Sequence, residues 1–199
     1  KGQHIVELDK LFNILPTPIK LMVDSPDTLL EIVMDLGKPL ILKCTTGKKI
    51  FDNYVITQKE INQLEDNLGE FGPDNRAGLD GTIHRLSRIK ARSGKTVGFT
   101  IRIGKTVPDA AALITDIIES GDNILIVGSP GKGKTSILRN AAYSLSTTTD
   151  LSVVIVDSSN EIAGDADVPH PSVGDSRRLQ VPFKSDQHLV MIEAVENDC

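Results

Sequence analysis

Eight residues constrain this chain more than any others: Gly128-Ser129-Pro130-Gly131-Lys132-Gly133-Lys134-Thr135 fits the pattern Gly-x-x-x-x-Gly-Lys-[Ser/Thr]. The pattern has a physical reason. Glycines let the backbone curl so that successive N–H groups converge on a phosphate, and the helix that follows turns its positive end toward the same anion. Lys134 is placed to reach the β- and γ-phosphates, and the Thr135 hydroxyl to hold Mg²⁺. The flanking sequence is what such a loop needs. The fully apolar run Asn123–Gly128 reads as the strand before it, and KTSILRNAAYSLS, from Lys134, as the helix after it. The reading is therefore a nucleoside-triphosphate site formed by Gly128, Ser129, Pro130, Gly131, Lys132, Gly133, Lys134, Thr135 and Ser136, with ATP and Mg²⁺ as its cofactors.

A second apolar run, LSVVIVDSS, ends in Asp157 and leads to Asn160 and Glu161. Strand, helix and strand in succession predict a parallel α/β sheet covered on both faces. Ligands of such sheets bind beyond the carboxyl ends of the strands, where Asp157 and Glu161 fall. Two assignments stay open. Asp157 holds Mg²⁺ through its carboxylate, or Glu161 orients the attacking water while Asp157 only caps a turn, as Asx residues often do.

The half before the loop has a different texture. Ile5, Leu8, Leu11, Phe12 and Leu15 recur at helical spacing up to Pro16, and EIVMDLG and PLILKC read as strands broken at Gly37–Pro39. Thr57 and Glu60 are spaced as a capping box before a short helix, FGPDNRAGLDG reads as loop, and TIHRLSRIK with KTVGFTIRIG reads as a hairpin across RSG. Residues 1–105 are thus expected to form a small α+β domain, and 106–199 the α/β core, opened by a helix from Pro108 and Asp109 that Gly121 closes.

Charge is uneven along the chain. Its 22 Lys+Arg and 27 Asp+Glu give a net −5, yet residues 76–105 hold eight cations against Asp80 alone. Arg85, Arg88, Lys90 and Arg92 in this stretch are candidates for nucleic-acid contact, for a contribution to a neighbouring subunit's nucleotide, or for a solvated face paired with acidic segments. With Phe99 as the stretch's one aromatic residue, base stacking is a poor fit. Two cysteines, Cys44 and Cys199, rule out a disulfide scaffold and suit a reducing compartment, and no apolar run is long enough to span a membrane. His170, between two prolines, lacks ligands at metal spacing and reads as structural, and His84 as a partly buried strand residue.

The segments VVIVDSSNEIAGDADVPHP, SRRLQVP and QHLVMIEAVEN, together with LDKLFNILP, EIVMDLG, FGPDNRAGLDGTIHRLSRIKARSGKTVGFTIRIGK and the phosphate loop, occur in an order spanning nearly the whole chain. In that order they resemble the conserved-reading-frame ATPase family of algal plastids and cyanobacteria, which includes plant plastid proteins. That family is related to the stage III sporulation AA ATPase and, more distantly, to secretion and pilus-retraction ATPases. The resemblance implies a RecA-like phosphate-loop core, a homo-oligomeric ring and ATP hydrolysis. It further implies Glu161 as the acidic catalytic residue, and Arg177 and Arg178 as a matching arginine pair able to neutralise γ-phosphate charge across a subunit boundary. It suggests a plastid stroma or a cyanobacterial cytoplasm. Ser129, Lys132 and Ser136 stand where the family usually has Arg, Val and Thr, at positions the loop chemistry leaves variable. The family's Mg²⁺-supporting acidic strand lies beyond the segment matching IEAVEN, so the core is expected to be C-terminally truncated here. The rival reading is a nucleic-acid-binding or assembly module with nucleotide as a structural ligand. A small-molecule kinase finds no lid or acceptor signature.

Overall fold

The computed structural model describes residues 2–107 and 109–198, with side chains described for 8–107 and 109–197. The chain divides into two compact units, 1–105 together with 165–167, and 106–164 together with 168–199.

The first unit is built on an antiparallel sheet of six strands: β1 Leu29–Asp35, β2 Pro39–Cys44, β3 Gly47–Val55, β4 Arg76–Gly78, β5 Arg85–Lys90 and β6 Thr96–Arg102, in the order β3-β2-β1-β6-β5-β4. The helices α1 Gly2–Ile14, α2 Thr17–Met22 and α3 Gln58–Asp66 supply the other half of its core. Leu8, Leu11 and Leu15 pack with Ile19, Ile61 and Leu64 against Ile32, Met34, Leu40, Leu42, Leu86, Phe99 and Ile101. The helical stripe is the expected one; Ile5, its first member, has a side chain outside the described residues. Strand alternation decides the rest: on β1, Ile32 and Met34 face the helices, and Glu31, Val33 and Asp35 the other side. Two strands depart from the expectation. β3 was not expected, because Ile50 and Phe51 break any clean alternation, and β4 lies inside the stretch read as loop, where Arg76, Ala77 and Gly78 pair with β5.

The capping box at Thr57 forms: its N–H donates to Glu60 Oε2 at 2.7 Å, and its side chain meets the third-residue N–H of α3. Thr57→Ala is expected to cost about 1 kcal/mol of first-unit stability, measured as a lowered thermal midpoint with unchanged circular dichroism at low temperature.

In the second unit, α4 Thr115–Glu119, α5 Lys134–Thr148, β7 Val154–Asp157, β8 Arg177–Gln180 and α6 Gln187–Asp198 surround a small core of Ala142, Ile155, Ala163 and Val173. β7 and β8 pair in parallel, Val154 opposite Arg177 and Asp157 opposite Gln180. Two expectations need correction. The run 123–128 follows no strand geometry here: among the described residues no strand pairs with it, and Leu125 and Val127 are 87% and 82% exposed. A strand exists through its partner, and the apolar run finds none among the described residues. The helix expected from Pro108 starts later; Pro108 lies outside the described residues, and Asp109 has φ +55°, which no right-handed helix admits. Ala111 N–H donates instead to Asn140 Oδ1 at 2.9 Å, so a short 3₁₀ turn, Ala112–Ile114, precedes α4. Gly121, at φ +77°, closes that segment as expected.

Among the described residues, no helix is long and apolar enough to cross a membrane.

Candidate nucleotide site

The phosphate loop folds as a turn onto the start of α5. Gly131 and Gly133 take φ +73° and +88°, a region in which a side chain would be strained, so the pattern's glycines stand where the backbone requires them. Gly133 forms the N-cap of α5 and gives it no side-chain cap. The first-turn N–H groups of Lys134, Thr135 and Ser136 are therefore left to an external acceptor, with the positive end of a 15-residue helix behind them. Lys134 Nζ folds back to donate to the carbonyls of Gly128 at 2.7 Å and Ser129 at 2.9 Å. An ammonium, free N–H groups and a hydroxyl at Thr135 thus lie within one turn of backbone. This donor set fits a polyphosphate and, through Thr135, a hydrated divalent cation.

At the carboxyl end of β7 the two acidic residues have different surroundings. Asp157 is 2% exposed, and its carboxylate accepts three backbone N–H groups: Glu161 at 3.1 Å on Oδ1, and Ile162 at 2.9 Å and Ala163 at 3.0 Å on Oδ2. That is the turn-capping alternative, in a strong form. Asn160 sits at the apex of the turn with φ +52°, a conformation Asn tolerates better than most residues. The far side of the turn is gripped by Arg139 of α5, buried at 7%, whose Nε donates to Ile162 O and whose Nη2 donates to Glu161 O, both at 2.6 Å. Glu161 is therefore fixed through its N–H by Asp157 and through its carbonyl by Arg139, while its side chain stays exposed. Arg139 is a residue holding this turn that sequence reading missed. An arginine in mid-helix carries no pattern, and only the fold reveals that it ties the phosphate-loop helix to the turn bearing Glu161.

The arginine pair is split by the strand it lies on. Arg177 and Arg178 are consecutive in β8, so they point to opposite faces of the small sheet. Arg177 is exposed, whereas Arg178 is half-buried and donates to Gly164 O at 2.8 Å. Both pair with the start of β7, opposite Val154 and Ile155 and away from Asp157. His170 is buried at 1% and caps the turn Pro171–Val173, its Nδ1 accepting the Ser172 N–H at 3.0 Å. His84, also 1% exposed, accepts the Gly104 N–H on Nδ1 at 3.0 Å, and so is more deeply buried than expected.

In the first unit, the candidate cations Arg85, Arg88, Lys90 and Arg92 do not all share a face. Arg88 follows Leu86 onto the helix-covered side, where it meets Glu65 at 3.2 Å, donates to Asn75 Oδ1 and lies 4.2 Å over the Phe71 ring. Arg85 lies on the opposite face, and Lys90 and Arg92 are exposed at the turn end of the hairpin. Arg88 is thus part of the packing, with its charge already matched.

A groove of about 370 Å³ in the second unit, lined by Ile114, Ile118, Ile124, Ile126, Leu138 and Leu145, is apolar, with Glu119 and Asp122 at its edge. Those charges have the wrong sign for phosphate, which leaves the loop as the anion-binding element.

No family model matches the chain. It is 42% identical over 195 residues to the protein SEEDLING PLASTID DEVELOPMENT 1 of Arabidopsis thaliana, covering 96% of this chain and 28% of that protein. It is also 42% identical over 195 residues to the uncharacterized protein ycf45 of Porphyra purpurea, and 42% identical over 169 residues to ycf45 of Cyanidium caldarium. The chain spans between 28% and 50% of the length of these three relatives. Among solved structures, the pilus retraction motor PilT with bound ADP matches 90% of this chain with a TM-score of 0.59 at 13% identity, over 57% of that chain. The ATPase DotB of Legionella pneumophila matches 90% with a TM-score of 0.50 at 15% identity, over 58% of its own length. The chain shares its fold with these ATPases.

Proposed function

We propose that this chain is the nucleotide-binding part of an ATPase that binds Mg²⁺-ATP at residues 128–136 and hydrolyses it. The observation that carries the reading is the loop itself, with two left-handed glycines delivering the backbone to the uncapped start of α5 beside the Lys134 ammonium. Lys134 grips the β- and γ-phosphates, and the N–H groups of the first turn of α5 hold the β-phosphate. Thr135 holds Mg²⁺, which neutralises charge on the phosphate oxygens when bound. Glu161 orients the attacking water, positioned by a turn that Asp157 and Arg139 fasten. Asp157, with both oxygens engaged by N–H groups, serves that turn rather than the metal. Arg177 is the member of the arginine pair exposed to reach a neighbouring subunit's γ-phosphate in a homo-oligomeric ring. The relatives' names and sources support a plastid as the place where it works.

The direct test is calorimetric titration with a non-hydrolysable ATP analogue and Mg²⁺, with mass by light scattering in parallel. Binding and a rise in mass on adding nucleotide are the expected results. A chain that takes up no analogue at all overturns the reading. Glu161→Gln is expected to keep analogue affinity while turnover falls by about 10²-fold or more, because the carboxylate acts on water and not on the phosphates.

A further inference from the structure

Three residues from the second half of the sequence, Asp165–Asp167, belong to the first unit, while their neighbours on both sides belong to the second. Gly78 shows why they fit there. It ends the edge strand β4, where Ala77 pairs with the core residue Leu86 and Gly78 with Arg85. By the pleat, a side chain at 78 would point to the face away from Leu86. A Cβ built there would stand 2.2 Å from the Ala166 N and 2.6 Å from the Asp165 carbonyl carbon. Both are backbone atoms, so no rotation of a side chain could relieve the clash. Glycine within a strand marks the close approach of another backbone, and here that backbone is 165–167. Ala166 is buried at 8% in this contact. The four residues that lead from Glu161 to the segment are all held by their backbones. Glu161, Ile162 and Ala163 donate to Asp157, and Arg139 grips the carbonyls of Glu161 and Ile162. The His170 N–H donates to Ala163 O at 2.8 Å, and Arg178 to Gly164 O at 2.8 Å. Asp165 follows at once, so the fastened stretch runs from Glu161 to Ala166 without a spare residue.

We propose that Gly78 is a positioning residue for Glu161: by admitting Asp165–Asp167 onto the first unit, it anchors the exit of the turn that carries the carboxylate. The proposal rests on the reading of Glu161 as the residue that orients water. A turn fastened only at its entry, by Asp157 and Arg139, can still pivot about those bonds. Anchoring its exit removes that freedom. The Glu161 side chain is exposed, so its placement depends on where the backbone beneath it is held. A displacement of about 1 Å at a reacting group can cost about 10²-fold in rate, which makes such an anchor consequential. Gly78 touches neither nucleotide nor water, and acts through the three residues that it receives.

The test follows amide hydrogen exchange and ATP turnover in the 199-residue parent, in Gly78→Val, and in a chain with two glycines inserted between Gly164 and Asp165. Valine suits a strand, so β4 itself should survive, and Gly78→Ala provides a milder second variant. In Gly78→Val the amides of 165–167 should lose protection, and those of 161–163 should exchange at least ~10-fold faster than in the parent. The insertion should leave 165–167 protected and still speed exchange at 161–163, because it adds slack without undoing the contact. In both chains kcat should fall ~10-fold or more, with KM for ATP changed less than about 2-fold, since the phosphate loop and α5 are untouched. Gly69→Val, at a position where a Cβ meets nothing within 4 Å, should behave as the parent does. Parent-like exchange at 161–163 in Gly78→Val overturns the proposal. So does a lowered melt in Gly78→Val combined with an insertion chain that exchanges and turns over normally, since Gly78 would then serve packing alone. The two readings fail separately: a parent that binds no ATP analogue overturns the nucleotide reading on which this one rests, whereas unaltered exchange overturns the role of Gly78 by itself.

Discussion

Lys134→Ala is expected to lower affinity for Mg²⁺-ATP by about 10²- to 10³-fold and to leave no measurable turnover. The arithmetic follows from what the ammonium does. It donates to the Gly128 and Ser129 carbonyls at 2.7 and 2.9 Å, so it lies at the turn where the phosphates would lie, not in bulk solvent. Two hydrogen bonds to charged oxygens at about 1.5–3 kcal/mol each account for an affinity loss of that size. Lys134→Arg should not rescue it, because a planar guanidinium cannot occupy a turn shaped for a compact ammonium. The fold should tolerate either change, since the two bonds that disappear are exposed and local to the loop. Calorimetric titration beside a thermal melt separates the two effects. A variant that melts like the parent and still binds and hydrolyses ATP normally would refute the nucleotide reading.

How much of this was legible beforehand depended on whether the cause was local. The capping box at Thr57 and Glu60, the stripe Leu8, Leu11 and Leu15, the β5–β6 hairpin and the glycines of the phosphate loop are short-range devices, and each can be read from a few neighbouring residues. What failed depended on partners. The run 123–128 has strand composition, but its hydrogen-bonding edges need neighbours that these residues do not supply. Asp109 belongs to a good helix start, yet its left-handed φ delays the helix by several residues. Arg88 is instructive because the pleat could have placed it. Once Leu86 is assigned to the core face, Arg88 must follow it, and a count of nearby cations says nothing about parity. For Asp157 the sequence left metal ligand and turn cap as alternatives, and the three N–H groups that its carboxylate accepts are visible only in the fold. Arg139 had no such pair of alternatives, because the carbonyls it holds are 22 and 23 residues away.

Asp157→Ala is expected to destabilise the second unit by about 3–5 kcal/mol and to free the turn that carries Glu161. The substitution removes one carboxylate and strands three N–H donors, from Glu161, Ile162 and Ala163, beside a core that includes Ala163 at 0% exposure. Bonds from N–H groups to an ionised acceptor are worth about 1.5–3 kcal/mol each, and water can reach the outermost donor, so the loss falls below the simple threefold value. Asp157→Asn keeps the shape but turns one acceptor oxygen into a donor amine, and should cost roughly half as much. Hydrogen exchange at 161–163 is the sensitive readout, because these amides should lose protection before the rest of the unit does. Turnover should fall with it, while analogue affinity, set by the loop and the first turn of α5, changes far less. A magnesium ligand would give the opposite pattern: unchanged amide protection, with a nucleotide affinity that needs much more Mg²⁺. That pattern would return Asp157 to the metal and leave the turn to be held by Arg139 alone.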